Sequence, residues 1–264
     1  MIGMTEDITV DHPVQNVTRI ALNRPKTRNA YRTQTCLELE EAVRDFEADD
    51  ASRVLILTGS GGAFCSGGDI AEQEPEARQL LHGMTMREGM HRVTKLLWSS
   101  DKPSIAAVGG PAVSGGLALA LCCDFRVGSA SARLGDASGR VGLLPDEGGA
   151  WLFPRVIGRD AAIRMTLLAE IYDADKSLAL GLLTEVVEDA DLEQRTLELA
   201  SQLARTAPLA ARLAKRMIRQ SANQTFEQSL ADAEYAVEIV NGSEDVREGV
   251  AAFIERRPPV YRGR

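Results

Sequence analysis

The sequence has fewer basic residues than acidic ones. Its 264 residues include 30 Lys and Arg against 38 Asp and Glu, a net charge of −8 with His neutral. The chain as a whole therefore has no positive field that could hold a nucleic-acid backbone or an anionic membrane surface, and neither is an expected partner. An anionic ligand would have to be bound by a local group of basic residues.

Cysteine is scarce and shows no disulfide or ligand spacing. There is no CxxC pair, and the three histidines add no metal-ligand pattern, so no bound metal is expected. Reduced, buried thiols and a cytoplasmic location are expected for the four cysteines, which are Cys36, Cys65, Cys122 and Cys123. The acidic Glu6, Asp7 and Asp11 precede any apolar stretch, an order unlike that of a signal peptide.

One apolar run is long enough to cross a bilayer. Residues 103–123 contain no charged side chain. Gly109-Gly110-Pro111 and Ser114-Gly115-Gly116 interrupt this run, so it predicts a strand, a loop and a buried helix instead. The phosphate-binding patterns GxxxxGK[ST] and GxGxxG are absent, which disfavours a P-loop or a dinucleotide-binding fold.

Apolar periodicity predicts strands and helices in alternation. Residues 17–22, 54–58, 105–108 and 125–127 are short aliphatic or β-branched runs typical of strands, with helices predicted at 33–49 and 117–121. Further helices are predicted at 160–168, 192–206, 209–220, 225–240 and 246–257. The pattern indicates an α/β fold with parallel β/α units in a core of residues 1–200, followed by a helical region at 201–264.

Three glycine-rich stretches follow apolar runs, at residues 64–69, 109–116 and 143–149. The ends of parallel strands are where ligands bind in α/β proteins. Glycine lets backbone N–H groups approach a ligand, and a helix that begins at Gly115 adds positive character there. Each stretch alone is compatible with a simple turn, but three in one chain predict a binding site.

These segments, in their order along the chain, resemble the enoyl-CoA hydratase/isomerase (crotonase) superfamily. The resemblance is carried by Leu22-Asn23-Arg24-Pro25 with Asn29-Ala30, and by residues 63–70, 102–124, 142–158 and 253–258. It implies a crotonase-like spiral of ββα turns with a C-terminal helical trimerisation region. It also implies an acyl-CoA substrate, no cofactor beyond the CoA that the substrate carries, and a homotrimer or hexamer.

The resemblance assigns roles to residues by motif position. The backbone N–H groups of Gly68 and Gly115 are the expected oxyanion hole, which would polarise the thioester carbonyl. CoA is expected along residues 24–30 and 66–70, with Arg24 and Lys26 near its phosphates, unless these are solvated surface charges. The other expected substrate contacts are Ala30, Ser66, Gly67, Asp69, Ile70, Ser138 and Trp151.

The sequence departs from the hydratase pattern at two positions. Ala118 and Ser138 occupy the places of the two glutamates that the family's hydratases use, and neither side chain is an effective acid or base by itself. Asp146 lies where several isomerases of the superfamily keep a catalytic aspartate, and one carboxylate can take a proton from one carbon and return it two carbons away. We expect Trp151 and Leu144 to desolvate Asp146 and raise its pKa.

Several alternatives stay open from the sequence. Asp146 also fits a cap of the helix that follows, and Glu147 is interpreted as its solvated neighbour. A hydratase that uses Asp146 with Ser138 or Glu147, a thioester hydrolase, and a CoA-binding protein without catalysis are the competing functions. His82 and His91 are interpreted as surface residues near the acyl pocket, Asp136 as a turn residue, and Cys65 as unreactive for lack of a partner histidine.

Overall fold

The computed structural model describes residues 7–70 and 82–264. The strands are β1 Ile8–Asp11, β2 Val17–Leu22, β3 Val54–Gly59, β4 Ser104–Val108, β5 Pro111–Val113, β6 Phe125–Ser129, β7 Arg133–Gly135, β8 Ile171–Tyr172 and β9 Glu185–Val187. The α-helices are α1 Thr33–Ala48, α2 His82–Glu88, α3 Met90–Ser99, α4 Gly115–Cys122, α5 Gly149–Ile157, α6 Arg159–Leu167, α7 Ala174–Leu180, α8 Leu192–Ala204, α9 Pro208–Ser221, α10 Phe226–Asn241 and α11 Glu244–Glu255. Pro25–Thr27, Ser138–Val141 and Asp189–Asp191 form 3-10 helices.

The larger sheet has the strand order β1-β2-β3-β4-β6-β9. Its strands are parallel except for β1, which pairs antiparallel with β2. The α/β class and the strands predicted at β2, β3, β4 and β6 are confirmed. Because these strands run in one direction, the loops that follow them emerge at one edge of the sheet. A second sheet has the strand order β5-β7-β8. Its first strand, β5, begins shortly after β4 ends.

Both faces of the larger sheet are buried. Alternate side chains of each strand point to opposite faces, and each face packs in a different core. Leu55 and Leu57 of β3 pack in the main core with α1, α3 and α4. Val54 and Ile56 pack in a second core against Ala200 of α8. This sandwiching of a parallel sheet between helices explains why the strands read as near-continuous apolar runs.

The long apolar run of residues 103–123 becomes strand, turn and helix, as predicted. Every residue of α4 is buried, and the helix contains no charged side chain. In the part of the chain that the structure describes, no helix is both long and apolar enough to cross a membrane. Ser114, which precedes α4, has a φ of 51°, a left-handed conformation that its hydrogen bonds to neighbouring loops hold in place.

The predicted helices of the C-terminal third are confirmed. Ser243 precedes α11 and caps it, because its side chain accepts a hydrogen bond from the Val246 backbone N–H. The predicted boundary at residue 200 falls inside α8, whose Ala200 and Ala204 are buried against the sheet. The division of the chain into a core and a trimerisation region stays a prediction.

Candidate active site

The predicted glycine stretches meet at a cleft of about 230 Å³. Residues 66–68 line one side of it, Val113 and Ser114 another, and residues 137–147 contribute most of the rest. Ile70, Met86, Leu143 and Leu144 make the lining partly apolar. The first two stretches follow β3 and β4 of the larger sheet, and the segment that bears the third follows β7, which pairs with β5 in the smaller sheet.

The backbone N–H of Gly68 points away from the segment around Tyr31, which pairs with it. In the isolated parallel bridge between Tyr31 and Gly68, the Tyr31 N–H donates to Gly67 O at 2.9 Å, and the Tyr31 carbonyl oxygen accepts from the Asp69 N–H at 2.8 Å. Tyr31 thus bonds to the residues on either side of Gly68, so the N–H group of Gly68 itself points away from Tyr31. Among the described residues no acceptor is hydrogen bonded to this N–H.

Gly115 supplies a second N–H group close to the first loop. It is the first residue of α4, where an N–H group has no partner within the helix, and no side chain caps this end. A β-carbon on Gly67 would lie 3.8 Å from Gly115 N, so the two loops are in contact. Two unsatisfied N–H groups at adjoining loops can bind an oxygen that gains negative charge.

Glu147 is buried, which corrects the prediction of a solvated neighbour. Its side chain lines the cleft, and its Oε1 accepts a hydrogen bond of 2.5 Å from the Tyr31 phenol. Burial raises the pKa of Glu147 to about 7; the hydrogen bond from Tyr31 lowers it, and the negative charge of Asp146 raises it. Burial, followed by the charge of Glu147, raises the pKa of Tyr31 well above 10.

Asp146 also lines the cleft, next to Leu144, but in a different setting from the one predicted. It is half-buried, and Trp151 lies outside the cleft lining, with its ring edge on Trp98 at a centroid distance of 4.9 Å. The helix-cap alternative is wrong as well, because α5 begins after Gly148 and has no side-chain cap. Trp151 thus packs on Trp98 of α3, and its role as a substrate contact stays a prediction.

His91 contacts the backbone of the loop that bears Asp146 rather than lying free at the surface. Its Nε2 is 2.8 Å from the carbonyl oxygen of Asp146. A carbonyl can only accept, so Nε2 carries the proton in this contact. The contact ties α3 to the loop that bears Asp146. The side chain of His82 lies outside the described residues.

Ser138 has an acidic partner that the sequence did not establish. Its Oγ donates a hydrogen bond of 2.5 Å to Asp136 Oδ1, and the same oxygen accepts from Ser114 Oγ at 3.0 Å. Asp136 is fully buried, and among the described residues its Oδ2 has no hydrogen-bond partner. Ser138 lines the cleft as predicted, while Asp136 lies behind it.

The predicted CoA segment is only partly available for a ligand. Arg24 is corrected from a phosphate contact to a structural ion pair, because its guanidinium lies 2.9 Å from the Asp69 carboxylate and both side chains are largely buried. Asp69 is likewise occupied, and Ala30 is buried, with its carbonyl accepting from Arg24. Lys26 is exposed on the 3-10 helix.

The two segments predicted to bind CoA do lie side by side. Ser66 Oγ donates to Thr27 O at 3.1 Å, and Ser66 N–H donates to Arg28 O at 3.1 Å. Ser66, Gly67 and Ile70 line the cleft, as predicted for substrate contacts. The exposed Lys26 stands next to Thr27 in the same segment. A basic side chain is thus available beside the cleft, although Arg24 is not.

Comparison with known proteins identifies the family of the chain. A family model described as enoyl-CoA hydratase/isomerase matches residues 13–264. The chain belongs to the enoyl-CoA hydratase/isomerase family. A 1,2-epoxyphenylacetyl-CoA isomerase of Escherichia coli K12 is 32% identical over 98% of this chain and 99% of that protein. A crotonyl-CoA hydratase of Syntrophomonas wolfei is 34% identical over 89% of this chain and 90% of that protein.

The fold of the family is also confirmed by solved structures. An enoyl-CoA hydratase from Bacillus anthracis superposes with a TM-score of 0.92 at 31% identity, covering 98% of this chain and 100% of that one. The fold is therefore the crotonase fold predicted from the motifs. Similar proteins carry the names of both hydratases and an isomerase, so membership in the family leaves the reaction open.

The structure places the two residues at which the sequence was expected to depart from the hydratase pattern. Ala118 is fully buried inside α4 and lies outside the cleft lining. Ser138 lies in the cleft but carries a hydroxyl in place of a carboxyl. The carboxyl groups that line the cleft, among the described residues, are those of Asp146 and Glu147.

Tyr31 is the site residue that the sequence did not reveal. It follows Asn29-Ala30 in the family motif, and its ring packs against both glycine loops. A β-carbon on Gly68 would lie 3.5 Å from the Tyr31 hydroxyl oxygen, and one on Gly115 would lie 2.8 Å from it. Its position beside the motif was the available signal, but its partner Glu147 lies 116 residues away.

Proposed function

We propose that the protein isomerises an enoyl-CoA by moving its double bond, with Asp146 as the acid–base residue. The observation that carries the proposal is the composition of the cleft. Its carboxyl groups in the described residues, Asp146 and Glu147, belong to one loop, while Ala118 and Ser138 replace the glutamates expected of a hydratase. A double-bond shift needs proton removal and return but no activated water.

In this mechanism the thioester oxygen binds the N–H groups of Gly68 and Gly115. Asp146 removes a proton from the carbon next to the thioester, and the electron pair forms an enolate whose oxygen the two N–H groups stabilise. Asp146 then gives a proton to the carbon two positions away. The thioester carbonyl is the electron sink, so we propose no resident cofactor. Leu143, Leu144 and Ile70 offer an apolar wall to the acyl group.

Hydration is the second candidate, and one contact favours it. Ser138 Oγ donates to Asp136 Oδ1 at 2.5 Å, which gives the serine a base that could draw its proton. A hydroxyl with such a partner can orient water, and a crotonyl-CoA hydratase is among the similar proteins. Isomerisation is favoured because Ser138 points its only proton at the buried carboxylate rather than at the cleft.

The product distinguishes these functions. We expect that incubation with a 3-enoyl-CoA gives an isobaric positional isomer, detected by chromatography with mass detection. Asp146→Asn is expected to lower kcat by about 100- to 10,000-fold. Asp160→Asn is the matched control, because the Asp160 side chain is almost fully exposed on α6. Addition of one water overturns the isomerase proposal in favour of hydration, and release of free CoA overturns it in favour of thioester hydrolysis.

We also propose a cytoplasmic location and a homotrimer or hexamer. The location is supported by four buried free thiols, which suit a reducing compartment. The assembly is supported by exposed apolar side chains on the C-terminal helices, including Phe253 and Ile254.

A further inference from the structure

Glu147 is a buried carboxyl for which a single proton shuttle at Asp146 has no use. It is 6% exposed, it lines the cleft, and the Tyr31 phenol donates to its Oε1 at 2.5 Å. A buried ionisable pair is rarely the most stable choice, since apolar side chains of similar size cost no desolvation. We therefore expect the Tyr31–Glu147 pair to have a function in the cleft.

The position of this carboxyl relative to the oxyanion hole is specific. A β-carbon on Gly115 would lie 2.5 Å from Glu147 Oε1, so the carboxyl is in contact with the backbone of that glycine. The Gly115 N–H, which is one bond from the α-carbon of that glycine, therefore lies near the Glu147 carboxyl group. Proton transfer requires such proximity before any question of acidity arises.

The titratable groups that face Glu147 come from three other segments besides its own loop. Tyr31 precedes α1, Cys36 lies on α1, Cys65 lies in the first glycine loop, and Asp146 is the neighbour in sequence. Burial raises the pKa of both thiols to about 12, so both are neutral at physiological pH. Besides the charge and burial effects described above, a hydrogen bond between the two carboxyl groups raises the pKa of Glu147. A hydrogen bond between two carboxyl groups requires that one of them carries a proton.

We propose that Glu147 is a second catalytic acid–base residue and that Tyr31 is the positioning residue that holds its carboxyl beside Gly115. The inference rests on the proposed function and deepens it. Asp146 and Glu147 then divide the two proton transfers of one turnover between them.

The atoms and charges balance in this scheme. The α C–H bond breaks, its proton passes to the Asp146 carboxylate, and its electron pair forms the enolate. The Glu147 O–H bond then breaks, its proton forms the new C–H bond at the γ-carbon, and Glu147 becomes a carboxylate. Transfer of the proton from Asp146 to Glu147 restores the resting state, so the pair holds one proton at rest, two while the enolate exists and one again after protonation of the γ-carbon.

The first test is kinetic. Glu147→Gln keeps the size of the side chain and an acceptor for Tyr31 but removes the exchangeable acid, and we expect kcat to fall by about 100- to 10,000-fold with KM little changed. Glu170→Gln is the matched control, because Glu170 also accepts a phenol hydrogen bond, from Tyr172 at 2.8 Å, but lies outside the cleft lining. Unchanged kcat in Glu147→Gln, whichever product the wild type forms, overturns the inference.

The second test asks whether Tyr31 acts on Glu147 through its hydrogen bond or only fills space beside it. The scheme needs a proton on the pair, so kcat/KM of the wild type should decline as pH rises past about 7. Tyr31→Phe removes the hydrogen bond that lowers the pKa of Glu147, so this decline should move to higher pH by about one unit. Tyr172→Phe is expected to leave the pH of this decline unchanged. A decline at the same pH in Tyr31→Phe overturns the role given to Tyr31.

The third test follows the proton. A 3-enoyl-CoA with deuterium at C2 is converted in one turnover with excess protein in ordinary water. If Asp146 and Glu147 share the two proton transfers, the wild type should give a product with ordinary hydrogen at C4. Glu147→Gln should turn over slowly and leave deuterium at C4. Deuterium at C4 from the wild type indicates a single shuttle and overturns the inference while leaving the isomerase proposal intact.

Folding of the variant is checked independently. The folded-state pKa of Glu147, about 7, lies above its ordinary value of 4.5, so folded protein binds more protons than unfolded protein between these values. The wild type therefore loses stability as pH rises through this window, whereas Glu147→Gln does not. We expect Glu147→Gln to melt no lower than the wild type at pH 8. The wild-type labelling test and Tyr31→Phe do not depend on this variant.

If the wild type forms no isomer but adds water or releases CoA, the isomerase proposal fails. Glu147 is then judged by the loss of that other turnover in Glu147→Gln. No turnover of any kind by the wild type, and no exchange of the α-protons of a saturated acyl-CoA with D₂O, overturns both proposals.

Discussion

At Gly115, the space that a side chain would need is already filled. An added β-carbon would lie 2.5 Å from Glu147 Oε1 and 2.6 Å from Tyr31 Cε1. Gly115→Ala therefore has to displace the Tyr31–Glu147 pair, although its own N–H remains. We expect a loss of about 1–3 kcal/mol in the free energy of unfolding, measured with urea, together with a fall in kcat.

A glycine in open space is the control for this prediction. A β-carbon on Gly83, in α2, would meet nothing within 4 Å. Gly83→Ala should leave kcat unchanged and stabilise the helix by up to about 1 kcal/mol. If Gly115→Ala behaved like Gly83→Ala, the contact between Gly115 and the pair would have no energetic consequence.

At the scale of elements, Asp124 fixes α9 to the sheet. Its carboxylate accepts from Lys215 at 2.7 Å, from Arg219 at 2.7 Å and from the Ser104 backbone N–H at 2.8 Å. Asp124 therefore has a structural role, since it joins a strand end to a helix of the C-terminal region. Burial lowers the pKa of Lys215, and the charge of Asp124 opposes this effect.

Asp124→Ala leaves the ammonium of Lys215 buried without its partner carboxylate. We expect the free energy of unfolding to fall by about 3–5 kcal/mol in urea titrations. Glu193→Ala breaks the ion pair with Arg19 at a largely exposed site and should change stability little. Equal losses in the two variants would argue against a special role for the buried cluster around Asp124.

At the scale of the whole molecule, two C-terminal helices contain no fully buried residue. This holds for every residue of α9 and α10, all of which the structure describes, although the charged ends of Lys215 and Arg219 in α9 are largely enclosed around Asp124. Phe226, Tyr235 and Phe253 are each at least 74% exposed on α10 and α11. Long helices in water depend mostly on packing of an apolar face, so these helices need a partner surface.

We therefore predict a homo-oligomer that forms through these helices. Light scattering at micromolar concentration should give the mass of a trimer or hexamer, and Phe253→Asp should shift it toward that of the monomer. Leu37→Asp is the control, because Leu37 is an exposed apolar residue of α1, outside the C-terminal region. A monomeric wild type would contradict the prediction.

The sequence by itself determined the elements and the family. Strands β2, β3, β4 and β6 and the C-terminal helices were predictable, because the side-chain periodicity that buries one face is a local property. Short strands such as β8 were missed, since two residues carry no period. The glycines that bring backbone N–H groups to the cleft were predictable from the motifs in which they lie.

Tertiary structure alone decided which side chains face the cleft and in what protonation state. Asp146 and Glu147 are adjacent in sequence, yet only Glu147 is buried against Tyr31, a residue 116 positions away. Arg24 is conspicuous in the motif, but it is paired with Asp69. A pKa, an ion pair and the direction of a side chain depend on neighbours that meet only when distant loops converge, and periodicity carries no information about them.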